Sequence, residues 1–269
     1  MYKRQNVNRV MKNNDLRLAA KVKGQGDVLI ILHGLFGSSD NLGRVATELS
    51  EDFEVHSLDL RNHGDSFHTD DMSYELMTKD VIAYLDEHGF DCINMLGHSM
   101  GGKVVMNIAL THPERVNKLI VADIAPVTYT AHHNEIFKGL LAVNFEQDKT
   151  RSAVDKRLSN YIDTPGVRQF LMKNLVKRDN GKFGWRMNLP AIYKNYSKIL
   201  TGLSENEPFL GGVLFIAGGL SDYIKPEYKQ QTLSLFPNTE MKIIPDTTHW
   251  LHAEKPRVFV GICQRFLTT

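Results

Sequence analysis

The sequence predicts an α/β protein with a mostly parallel central sheet, flanked by helices and interrupted by a helical insertion. Short apolar runs of strand length alternate with stretches whose apolar residues recur at helical spacing, as repeated strand–helix–strand units require. Several runs are apolar throughout, as strands buried on both faces must be. From residue 126 to 208 the alternation stops: helical patterns continue without a convincing strand.

Leu16 to Val22 reads as a first edge strand, closed by the turn Lys23-Gly24-Gln25-Gly26. Val28 to Leu32 is a central strand, and Leu42, Val45, Ala46 and Leu49 then keep helical spacing. Phe53 to Leu60 is strand-like, and Leu76, Met77, Val81, Tyr84 and Leu85 mark a helix over 73–88. Cys92 to Leu96 is a buried strand, followed by a helix from Lys103 to Leu110 that ends at His112-Pro113. Lys118 to Ala125, Val213 to Ala217 and Met241 to Ile244 complete the strands, and Pro256 to Phe266 closes the chain as a helix. These elements predict one core from residues 15–125 and 209–269, a helical cap over 126–208, and a mobile leader over 1–14.

Composition limits the function classes. The chain has 269 residues, 42% hydrophobic and 23% charged, with a net charge of +1. That suits an ordinary globular domain and offers no global attraction for nucleic acid or a membrane surface. No apolar stretch approaches spanning length, and the polar, basic N-terminus has no apolar signal region. The two cysteines, Cys92 and Cys263, read as small apolar fillers. They fit a reducing compartment, and a cytoplasmic location is expected.

The chemistry starts at Gly97-His98-Ser99-Met100-Gly101-Gly102. Gly-x-Ser-x-Gly between a strand and a helix is the context of a nucleophile elbow. The turn strains the serine, so the residues two before and two after it must be small. The helix start places backbone N–H groups where an oxyanion would form.

The order of these features resembles the α/β-hydrolase fold: His33-Gly34, Asp59 to Ser66, the elbow at Ser99 and His249 near the end. Longer strings make the chain similar to the YbfF-type esterases related to α/β-hydrolase domain-containing protein 11. They are His33-Gly34-Leu35-Phe36-Gly37-Ser38, Asn41-Leu42-Gly43, Arg61-Asn62-His63-Gly64, the elbow through Lys103, Asp123-Ile124-Ala125-Pro126-Val127 and His249-Trp250-Leu251-His252-Ala253-Glu254-Lys255-Pro256.

A serine hydroxyl needs a base, and the base needs an orienting partner. Among eleven histidines, His249 is the candidate base because it follows the last strand at the sheet edge that holds Ser99. His252 and His98 are expected to support it, with the His98 side chain pointing away from the reacting face. His33 is expected to brace the oxyanion loop. Arg61-Asn62-His63-Gly64 reads as a structural turn, and His132-His133 as a solvated pair on the cap. Asp123 and Asp222 both follow strands at that edge, and either could be the acid. The resemblance favours Asp123 and implies a supporting Ser221, with the unused aspartate an acceptor for loop N–H groups. Asp246 lies too close to His249 in sequence. The oxyanion donors are expected to be the backbone N–H groups of Met100 and Leu35, with Phe36 the alternative to Leu35.

The expected function is hydrolysis of carboxylic esters of small to medium acyl groups through an acyl-enzyme on Ser99, without metal or organic cofactor. Within 126–208 there are 13 Lys and Arg against 8 Asp and Glu. This positive excess could favour anionic substrates such as acyl-CoA thioesters, with Lys177, Arg178 and Arg186 the residues to examine. A C–C bond hydrolase and a ligand receptor built on a hydrolase fold are more distant alternatives.

Overall fold

The computed structural model describes residues 16–203 and 207–269; the predicted leader lies outside them. The main-sheet strands are β1 (Ala20–Lys23), β2 (Asp27–Leu32), β3 (Phe53–Leu58), β4 (Ile93–His98), β5 (Val116–Ala122), β8 (Gly212–Gly218) and β9 (Thr239–Ile244), in spatial order β1-β3-β2-β4-β5-β8-β9. All neighbours are parallel except β1 and β3, so the only antiparallel pair among the described residues of this sheet is at one edge. β1 is shorter than predicted and exposed along its length, which is why the apolar pattern of Leu16–Val22 marked it poorly.

Side chains alternate across the sheet as the pleat requires. Leu29 and Ile31 face α1 (Gly43–Leu49) and α11 (Pro256–Thr268), where Val45, Leu49, Phe259 and Cys263 are buried. Ile30 and Leu32 face the opposite core with α2 (Tyr74–His88) and α3 (Met100–Thr111). Each such side chain, fully withdrawn from water, contributes about 1.5–3 kcal/mol. Ser73 caps α2 by accepting from Leu76 N–H at 3.3 Å, and Gly89, at φ 69°, ends it.

Between β5 and β8 the chain forms α4 (Asn134–Ala142), α5 (Arg151–Leu158), α6 (Pro165–Leu171), α7 (Leu189–Lys194) and α8 (Tyr196–Leu200). It also forms a hairpin of β6 (Leu175–Lys177) and β7 (Phe183–Trp185), so the strandless reading of 126–208 is corrected. Three-residue strands are too short to show a period. Cys92 is also corrected: it precedes β4 and is exposed. α9 (Lys229–Leu235) lies between β8 and β9, and α10 (Leu251–Glu254) precedes α11.

Candidate active site

Ser99 joins β4 to α3 with φ 54° and ψ −120°, a conformation that L residues adopt only when their surroundings impose it. The glycines on either side are sterically required. A Cβ on Gly97 would lie 2.2 Å from the Gly101 carbonyl oxygen, and one on Gly101 would lie 2.5 Å from that of Leu32. The elbow therefore packs directly against the end of β2, beside the loop that carries Leu35 and Phe36.

Asp123 directly follows β5, is fully buried and also has a positive φ of 53°. Its Oδ2 accepts from His249 Nδ1–H at 2.7 Å and from the Ser221 hydroxyl at 2.5 Å; its Oδ1 accepts from Gly218 N–H at 2.9 Å. With Nδ1 used in this way, Nε2 of His249 is the nitrogen left for Ser99, and both residues line one pocket. The ring of Tyr223 stacks on the imidazole with centroids 3.8 Å apart and planes 17° apart. Nothing in the sequence marked Tyr223, because its partner is brought to it by the fold from another strand end.

Asp222 does not reach the site. Its side chain is 95% exposed and lies 4.0 Å from Lys225, so neither its candidacy as the acid nor its expected role as an acceptor for loop N–H groups holds. Ser221 turns inward to Asp123, and the next residue is directed to solvent. Asp246 is likewise exposed, beside Lys255.

The oxyanion candidates also separate. Phe36 N–H donates to His63 Nε2 at 3.2 Å, which removes it as a free donor. Leu35 N–H has no acceptor among the described residues, and Met100 opens α3, where the first N–H groups lack helical partners. His33 braces this loop: its Nδ1–H donates to the Gly34 carbonyl at 2.8 Å while Nε2 accepts from Leu60 N–H at 3.0 Å. Arg61 is fixed by a two-point ion pair with Asp80, and Gly64, at φ 54°, leaves no room for a Cβ beside the Asp59 carboxylate. The turn is structural, and through His63 it also holds the loop beside Ser99.

The His98 ring is buried against that of His249, with centroids 4.7 Å apart, and its Nε2–H donates to the His249 carbonyl at 2.9 Å. His252 packs edge-on against His98 at 4.4 Å. Burial, aided by the neighbouring imidazoles, pushes His98 well below the usual histidine range. Burial, then the charge of His249, lowers His252 to about 3. Both therefore stay neutral beside the candidate base.

His133 is not solvated. It is half-buried, packs on Phe36 and meets the Tyr196 hydroxyl at 2.8 Å, and burial lowers its pKa to about 3. His132 is exposed, and its Nε2 accepts from the Tyr223 hydroxyl at 2.5 Å. Among the described residues no three His, Cys, Asp or Glu converge to hold a metal, and no helix is long and apolar enough to cross a membrane.

A family model for the α/β-hydrolase fold matches residues 27–256. The chain belongs to the α/β-hydrolase fold family. It is 37% identical to the mouse sn-1-specific diacylglycerol lipase ABHD11 over 89% of this chain and 80% of that protein. It is 35% identical to the Escherichia coli esterase YbfF over 96% of this chain and 99% of that protein. A solved marine microorganism esterase superposes with a TM-score of 0.92 at 40% identity, covering 94% of this chain and all of that one.

Proposed function

We propose that this protein is a serine hydrolase of carboxylic esters, with Ser99 the nucleophile, His249 the base and Asp123 the acid. The observation that carries the reading is the 2.7 Å bond from His249 Nδ1 to buried Asp123, in the pocket that holds the strained Ser99. Asp123 fixes the tautomer that leaves Nε2 to take the Ser99 proton and stabilises the imidazolium that forms. Ser99 Oγ attacks the ester carbonyl, and the N–H groups of Met100 and Leu35 receive the oxyanion. His249 returns its proton to the alcohol, which leaves as the acyl-enzyme forms. Water, activated by the same imidazole, then releases the acid.

The esterase and lipase names of the relatives support this reading. We take 126–208 as a cap, since α4 and α6 place Ile136, Val167 and Phe170 in the wall of the Ser99 pocket. Its positive excess gives little support to an acyl-CoA substrate. Arg157, Arg168, Lys182 and Lys138 pair with Asp148, Asp155, Glu146 and Glu135, and Arg186 pairs with Asp40 and Asp65. The free cysteines, one of them exposed, fit a cytoplasmic place of action.

The test is hydrolysis of p-nitrophenyl esters across acyl lengths by wild type and Ser99→Ala. Turnover that disappears with the hydroxyl is expected. Activity that survives the substitution, or no turnover on any ester, would overturn the reading.

A further inference from the structure

Two cavities open beside Ser99, and only one of them holds His249. The first is walled by Phe36, Val167, Phe170, Trp250 and His249 itself. The second is walled by Met100, Lys103, Tyr74, Tyr129 and Tyr196. In the mechanism proposed above, on which this inference rests, His249 protonates the departing alcohol. The alcohol therefore occupies the first cavity, and the acyl chain extends into the second.

Lys103 forms part of that second wall. It stands one helical turn beyond Ser99, its backbone N–H donating to the Ser99 carbonyl at 3.1 Å. Its side chain is buried, with only 1% of the residue exposed. The ammonium donates to the carbonyls of Val127 at 2.7 Å and Thr201 at 2.5 Å, which uses two of its three protons. Its Nζ lies 4.8 Å from the ring centroid of Tyr129 and 5.4 Å from that of Tyr74. Neither phenol supplies an anion. The Tyr74 hydroxyl donates to the Ile199 carbonyl and that of Tyr129 to the Tyr223 carbonyl, and burial raises both pKa values.

No carboxylate among the described residues pairs with Lys103. Burial alone brings it down to about 7. An ammonium withdrawn from water without a counter-ion is costly to keep, and its partners here, two carbonyls and two aromatic rings, carry no net charge. The two chain segments that it joins are already bonded to each other, Leu203 N–H to the Pro126 carbonyl at 3.0 Å, Tyr129 N–H to that of Leu200 at 2.9 Å, and Gly202 N–H to Thr128 Oγ1 at 2.8 Å.

We propose that the second cavity is an anion-accepting acyl subsite, in which Lys103 pairs with the free carboxylate of a short dicarboxylic acid esterified at its other end. The substrate class is the hemiester of a dicarboxylic acid; the products are the dicarboxylate and the alcohol. The bound carboxylate is the counter-ion that the fold itself does not supply.

The test compares mono-p-nitrophenyl succinate, glutarate and adipate with their methyl-capped counterparts of equal length. At the best length, kcat/KM of wild type is expected to favour the free carboxylate by roughly 10- to 100-fold, the range for a charge-assisted hydrogen bond. Lys103→Met is expected to bring that ratio toward one, whatever it does to either rate alone. Should the variant fail to fold, the wild-type ratio still decides, together with inhibition of a neutral ester by free glutarate, which is expected to be competitive. A wild-type ratio at or below one, or a ratio unmoved in a folded Lys103→Met, would overturn the subsite while leaving the esterase reading intact. No turnover of any ester would overturn both.

Discussion

His249 Nδ1 donates to Asp123 Oδ2 across 2.7 Å, although 125 residues separate the two in the chain and the carboxylate has no exposure to solvent. The end of β5 and the loop after β9 deliver the two groups to one point, and Gly218, the last residue of β8, and Ser221, just beyond it, supply the remaining donors to the carboxylate. The proposed acid of the site is thus tied to three strand ends at once.

Asp123→Asn presents an amide to His249 in place of a carboxylate and favours the wrong tautomer. A loss in kcat of roughly 10⁴ is expected on p-nitrophenyl esters, the scale seen when a triad aspartate becomes asparagine. Asp222→Asn, at a side chain that is 95% exposed and makes no bond to Asp123 or His249, should stay within about two-fold of wild type, as surface substitutions that remove no such contact generally do. Steady-state kinetics on the two variants in parallel checks the assignment.

Ser221→Ala removes one of three donors to the Asp123 carboxylate. Hydrogen bonds to charged groups contribute about 1.5–3 kcal/mol, so kcat should fall by about ten-fold or more with KM little changed. A KM effect alone would place Ser221 in substrate binding instead.

Gly97→Ala tests the elbow. Its Cβ would meet the Gly101 carbonyl at 2.2 Å, backbone against backbone. The strand and helix have no slack to absorb this, because Val104, Val105, Leu96 and Met95 are fully buried around the turn. A loss of at least about 3 kcal/mol, in the range of severe core disruptions, is expected in denaturant unfolding. A folded, active variant would contradict the strained geometry.

The buried imidazoles set a pH dependence of stability. Burial lowers His63 and His252 to about 3 and His98 well below 6.5. Between about 6.5 and 3 the unfolded chain binds protons that the folded chain refuses, so stability rises with pH across that window and falls on acidification. Each ring contributes up to about 1.4 kcal/mol per pH unit. Urea unfolding at pH 7 and pH 5 should therefore differ by several kcal/mol, with a shallower slope in His252→Phe. Equal stability at the two pH values would contradict neutral burial.

Much of this was legible in the chain. Val28–Leu32 and Val213–Ala217 announced themselves by being apolar throughout, and the elbow by two glycines that nothing larger can replace. The choice between Asp123 and Asp222 was not legible from the residues, because both follow strands at the same sheet edge. What separates them is backbone: a positive φ turns Asp123 inward, and Ser221 bends the other loop so that Asp222 faces water. His63, Tyr223 and Lys103 act through partners far away in sequence, such as Phe36, His249 and Thr201, and no local pattern announces such pairs. The hairpin at 175–185 escaped because its strands are shorter than the period that would reveal them.

The most direct test of the central claim is covalent capture of the nucleophile. The protein is treated with a fluorophosphonate, digested and mapped by mass spectrometry. One equivalent of label on Ser99, lost in Ser99→Ala and slowed in Asp123→Asn, is the predicted result. An unlabelled protein, or label on another residue, would contradict a serine hydrolase working through Ser99.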